Sequence, residues 1–146
     1  MIEKAINTLK NRILDIPPLM KQMTEEEFSY KTNPISWSKK EILGHLIDSA
    51  TNNHQRFVRG QFEFKPVIEY NQNKWNEFNY YHFIDSNQLI TFWTVYNKQI
   101  IELISKIPKE NLKKEVKINH HLHTIEFLFI DYVNHLEHHL NQILKK

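Results

Sequence analysis

The sequence predicts an all-α protein, a four-helix bundle in up-down-down-up order with a long crossover loop between the second and third helices. Three observations predict it. Four segments of roughly 20 residues, each about 30 Å long as a helix, carry apolar residues at three- and four-residue intervals. Only two of the 146 residues are glycine, too few for the repeated tight turns of a small sandwich or barrel, and no Gly-rich phosphate loop can be written. The links between the stripes are unequal. Those after the first and third helices suit antiparallel neighbours, while the one after the second, about 25 residues, could run the length of a bundle and leave the third helix parallel to the second.

Ile2, Ile6, Leu9, Ile13 and Ile16 form the first stripe, which ends near Pro17 and Pro18 or resumes after them through Leu19 and Met23. The aperiodic run from Lys31 to Ser36 is a connection, because Pro34 biases Asn33 away from helix. The second helix starts at a capping box, Ser38 with Glu41, and carries Ile42, Leu46, Ser49, Asn53 and Phe57 to about Arg59 and Gly60. Gln61 to His82 has no sustained period and reads as the long loop. Asp85 or Ser86 caps the third helix, whose stripe from Leu89 to Ile104 stops before Pro108. Lys109 to His123 is a polar connection, and Thr124 caps the last helix, with Ile125, Leu128, Phe129, Tyr132, Leu136, Leu140 and Ile143 inward. Length and composition fit one domain over residues 1–146.

Composition also narrows function. The absence of Cys removes disulfide scaffolds, thiolate metal sites and cysteine nucleophiles, so any metal must use His, Asp or Glu. A formal charge of +2 is far short of the basic excess that nucleic-acid binding needs. No window is apolar enough for a membrane span and the first residues hold no signal-type apolar run, so a cytoplasmic location and a small-molecule substrate are expected. Phe62, Phe64, Trp75, Phe78, Tyr80 and Tyr81 make the long loop aromatic enough to cover a second subunit, which would give a homodimer.

Histidine is the unusual residue: there are nine, six of them in the last 27 positions. At 100° per residue, with Ile125 at zero, His139 falls at about 320° inside the buried arc and His135 at about 280° on its margin, while His138 at about 220° points outward. His135 and His139 are thus an inward i, i+4 pair, and His45 borders the inward stripe of the second helix. Three neutral imidazoles with a further position open is a donor set for a divalent ion that activates water. The competing reading is three core histidines bonded to neighbours. His135 to His139 is not the zincin pattern, since no Glu follows the first His. His120, His121 and His123 read as solvated loop residues. Arg56 and Arg59 either pair with a substrate carboxylate or are solvated surface charge.

The run Trp37-Ser38-Lys39-Lys40-Glu41-Ile42-Leu43-Gly44-His45-Leu46-Ile47-Asp48-Ser49 resembles the W-S-x-x-E-I-x-x-H-L-x-D-S signature of DinB-like proteins. Tyr70 to Trp75 is similar to the Tyr-Asp-x-x-x-Trp stretch of one branch, with Asn71 in place of the Asp, and His135 to Gln142 resembles the closing H-x-x-H-H-x-x-Q helix. The resemblance implies the up-down-down-up bundle and a zinc or nickel ion held by His45, His135 and His139. The branch with the Tyr and Trp loop comprises metal-dependent hydrolases and bacillithiol S-transferases. It implies transfer of a low-molecular-weight thiol to an electrophile, with Tyr70, Trp75 and Arg56 as cofactor-binding residues. The alternatives are a hydrolase that activates water and a non-enzymatic ligand-binding protein.

Overall fold

A computed structural model describes residues 1–145. Four long helices, α1 (Ile2–Lys21), α3 (Lys39–Phe62), α5 (Ser86–Lys106) and α7 (Ile125–Leu144), form a bundle. Short helices α2 (Glu25–Ser29), α4 (Gln72–Phe78) and α6 (Lys109–Leu112) lie in the connections. Leu9, Met20, Leu43, Phe57, Trp93, Phe129 and Leu136 are among the fully buried side chains along its axis. No helix among the described residues is long and apolar enough to cross a membrane.

Local chemistry sets the helix starts. Ser38 Oγ accepts from the Glu41 N–H at 3.1 Å while Glu41 Oε1 accepts from the Ser38 N–H at 3.0 Å, closing the expected capping box. Asp85 accepts from the Gln88 N–H at 2.9 Å and Thr124 from the Phe127 N–H at 3.0 Å. Pro17 and Pro18 do not end α1, which continues to Lys21 with Pro17 and Met20 buried. Apolar burial on both sides of the pair compensates for the lost donors.

Packing differs from the expectation that short links join neighbours. α1 packs on α5 and α7, and α3 also packs on α5 and α7, so α1 and α3 lie across one diagonal and α5 and α7 across the other, and neither short link joins neighbours. The first link can cross the bundle end because it folds into α2, which docks on α3. Lys39 Nζ donates to the Lys145 carbonyl, which sets the start of α3 beside the end of α7. Asn111 Nδ2 donates to Gln61 Oε1 at 3.0 Å, so α6, which follows α5, lies against the end of α3.

Two segments read as irregular contain structure. Residues Glu115–Ile118 (β1) and His121–Thr124 (β2) pair antiparallel around Asn119 and His120, whose φ values are 50° and 68°. This tight turn uses Asn-His where Asn-Gly is the usual signal, and each strand is too short to show alternation. The crossover adds to the hairpin, with the Lys117 N–H donating to the Pro66 carbonyl at 2.9 Å. It then forms α4, capped by Asn71 Oδ1, which accepts from the Lys74 N–H at 3.0 Å. Asn76 Nδ2 donates to the Glu41 carbonyl at 2.8 Å, and Asn79 Nδ2 and the Tyr81 hydroxyl donate to Asp48 Oδ1 at 3.0 and 2.5 Å. Tyr81 is therefore buried instead of joining an aromatic surface, whereas Phe62, Phe64, Phe78 and Tyr80 are exposed.

Candidate metal centre

Because the start of α3 meets the end of α7, His45 in the second turn of α3 stands level with His135 and His139. His135 Nε2 lies 3.1 Å from His45 Nε2 and 3.1 Å from His139 Nε2. One ring nitrogen from each of the three falls within 4.8 Å of the other two. His45 is 1% exposed, with its ring 4.9 Å from that of Trp37. His138 is exposed, as the wheel placed it.

Protonation follows from the surroundings. His139 Nδ1 donates to Gln142 Oε1 at 2.8 Å, which leaves the Nε2 lone pair aimed at the cluster. Burial, reinforced by the neighbouring imidazoles His135 and His139, holds the His45 pKa down to about 3. Burial first and His139 second hold that of His135 down to about 4. His139 is also lowered, by burial. Near neutral pH all three rings are uncharged, and their Nε2 atoms converge on one point.

These residues fit a divalent ion. Bonds of about 2.0–2.1 Å to one tetrahedral ion hold nitrogens about 3.3 Å apart, and right-angle octahedral positions hold them about 2.9 Å apart. Two of the three separations, His45 to His135 and His135 to His139 at 3.1 Å each, lie between these values, and the third, His45 to His139, falls within 4.8 Å, so the rings are gathered around one point that an ion would draw closer. The buried His45 Nδ1 has no hydrogen-bond partner, so no protein acceptor competes for the orientation of that ring. Beside His139 opens a depression of about 450 Å³ lined by Trp37, Ile42, Gln72, Asn73 and Gln142, with no charged side chain in its wall.

The remaining candidates are placed less uniformly. The crossover reaches this depression through Gln72 and Asn73, whereas Trp75 lines a separate one with Lys74, Phe78 and Asn79. Tyr70 packs edge-on against Trp75, centroids 5.8 Å apart, and covers Arg56 at 5.9 Å. Arg56 is not solvated surface charge: it is buried and donates to the Ile68 carbonyl and to Asn53 Oδ1. Arg59, one turn on, is committed to Glu63 at 2.7 Å. His120 and His121 are exposed, and His123 stacks on Phe127. Three features escaped the sequence reading. Trp37 walls His45, the Gln72-Asn73 pair lines the approach, and Asp48, Ser49, Asn52 and Asn53 continue the His45 face as a buried polar strip ending at Arg56. Its spacing of 45, 49, 52, 53 and 56 was available as a helical period, but polar residues at that period read as one edge of an apolar stripe.

Comparison with known proteins agrees with this architecture. Residues 12–143 match the DinB superfamily. No curated protein sequence matches significantly. Among solved structures, YfiT from Bacillus subtilis, "a probable metal-dependent hydrolase with an unusual four-helix bundle topology", superposes with a TM-score of 0.87 at 21% identity over 97% of this chain and 83% of that one. The mycothiol-dependent maleylpyruvate isomerase superposes with a TM-score of 0.79 at 10% identity over 98% of this chain, which spans 60% of that longer protein. At these identities the likeness is one of fold.

Proposed function

The chain belongs to the DinB superfamily, and from that premise we propose that it is a divalent-metal-dependent enzyme that transfers a low-molecular-weight thiol, of the bacillithiol type, to an electrophilic small molecule. The observation that carries the reading is the convergence of three neutral imidazole Nε2 atoms from α3 and α7. His45, His135 and His139 would hold the zinc or nickel ion. Bound there, the ion supplies Lewis acidity, lowering the pKa of a coordinated thiol or water. Gln142 fixes the His139 tautomer, and Trp37 fixes the His45 ring while excluding water from its face. Gln72, Asn73 and Gln142 offer carboxamide donors and acceptors to an incoming substrate. The thiol's remainder would extend past Gln72 and Asn73 along the crossover, toward the Tyr70 and Trp75 pair that packs outside the depression.

The uncharged wall favours a thiol over water as nucleophile. No carboxylate lines the depression to take a proton, and a thiol with a pKa of about 8.5 needs far less help to ionise near neutral pH than water at about 15.7. Hydrolysis is the second reading, favoured by the three-imidazole donor set, which suits an ion that activates water. Incubating zinc- or nickel-loaded protein with an epoxide or alkyl halide, with and without bacillithiol or glutathione, and separately with an activated ester, tests both. Thiol-dependent loss of the electrophile supports transfer; ester turnover without thiol supports hydrolysis; and absence of stoichiometric metal removes both in favour of ligand binding.

A further inference from the structure

Arg56 is 8% exposed, yet no carboxylate is paired with it. Its Nε donates to the Ile68 carbonyl at 3.1 Å and its Nη1 to Asn53 Oδ1 at 3.3 Å, while the Tyr70 ring covers one face of the guanidinium at 5.9 Å. Asp131 and Glu69 act on it only through space; both are exposed, and Glu69 Oε2 already accepts from the Asn119 N–H at 2.8 Å. Nη2 makes no hydrogen bond among the described residues and is not one of the buried atoms sealed away without a partner. A buried arginine ordinarily takes a carboxylate on that edge, because the planar fork matches two oxygens.

Position gives the empty edge a meaning. Arg56 ends the buried strip that begins at His45 and runs through Ser49, Asn52 and Asn53. Eleven residues of helix separate the two Cα atoms by about 16 Å, and because side chains of one helix all lean toward its N-terminus, the guanidinium and the His45 ring stay about 16 Å apart along the helix. We infer that Arg56 is a carboxylate subsite: the free edge of its guanidinium takes the carboxylate of a small acidic ligand whose other end reaches the three-histidine centre. Arg59 is committed to Glu63, so one guanidinium edge faces the ligand, which matches a carboxylate better than a dianionic phosphate. The inference rests on the metal reading only for the position of the ligand's far end.

Two measurements test it. Equilibrium dialysis of metal-free protein against suberate and dimethyl suberate should show saturable binding of the diacid alone, lost in Arg56→Gln and weakened in Arg56→Lys. On zinc-loaded protein, alkyl hydroxamates of rising length ending in a carboxylate should bind about tenfold tighter than their carboxamide-ended counterparts once the chain spans about 16 Å, with no advantage when shorter. That advantage should vanish in Arg56→Gln. Equal binding of acid and amide at every length in the wild type, or an acid advantage that survives in folded Arg56→Gln, overturns the subsite. Should Arg56→Gln not fold, the acid and amide comparison in the wild type decides. Should zinc not bind, the metal reading fails, and the suberate comparison alone decides whether Arg56 takes a carboxylate.

Discussion

Gly44 lies against the ring that pins the crossover to α3, and replacing it by Ala tests how the crossover is held. A Cβ at this position would stand 2.2 Å from Tyr81 Cδ2, 2.5 Å from Cγ and 2.6 Å from Cε2. Carbon atoms pack at about 3.5–4.0 Å, so the ring must retreat by about 1.5 Å. The bond from its hydroxyl to Asp48 Oδ1, now 2.5 Å, cannot survive that movement unchanged. Overpacking costs about 1–3 kcal/mol, and losing a hydrogen bond to a carboxylate about 1.5–3 kcal/mol. Against this, Gly→Ala inside a helix gains about 1 kcal/mol. The expected net loss is about 1.5–5 kcal/mol, read as a lower urea midpoint with unchanged slope. In a Tyr81→Ala background the clash is gone, so Gly44→Ala should become stabilising. A Gly44→Ala protein as stable as wild type, or a penalty that persists without the Tyr81 ring, would refute the close-approach account.

Replacing His139 by Ala should remove stoichiometric zinc or nickel, while His138→Ala leaves metal content unchanged, as metal analysis of dialysed protein will show. Gln142→Leu deletes the acceptor that orients His139 and should weaken metal affinity about 10- to 100-fold, measured by competition with a chromogenic chelator. The metal-free protein should lose stability as pH falls below about 6.5, because the unfolded chain protonates His45 and His135 there while the folded chain does so only at about 3 and 4. Asp48 acts oppositely: burial pushes its folded pKa up to about 6 from 3.8, so its contribution is present at low pH and lost as pH rises through about 6. Urea midpoints across this range should therefore show Asp48→Asn gaining on wild type as pH rises; a difference that stays flat with pH would count against a buried, titrating Asp48.

Much of the bundle was legible in the chain itself. Four apolar periods, the Ser38-Glu41 box and the caps at Asp85 and Thr124 depend on neighbours within one helical turn, and each appears where those neighbours dictate. So does the inward aspect of His45, His135 and His139, because a helix converts spacing into direction. The convergence of their Nε2 atoms is another matter: it needs the start of α3 to lie beside the end of α7, which is set by packing between residues some 90 positions apart. The same holds for the diagonal placement of α1 and α3, for the hairpin that closes on the crossover, and for Gly44, whose need for a missing Cβ appears only once Tyr81 arrives. Arg56 shows the division within one residue. Its period assigned it to α3, but whether it met water or the interior depended on Tyr70 and Ile68, carried in by the crossover. Local spacing determines which way a side chain points, and only the tertiary fold determines what it meets there, because burial and electrostatic pairing arise between segments that the chain brings together after each has formed.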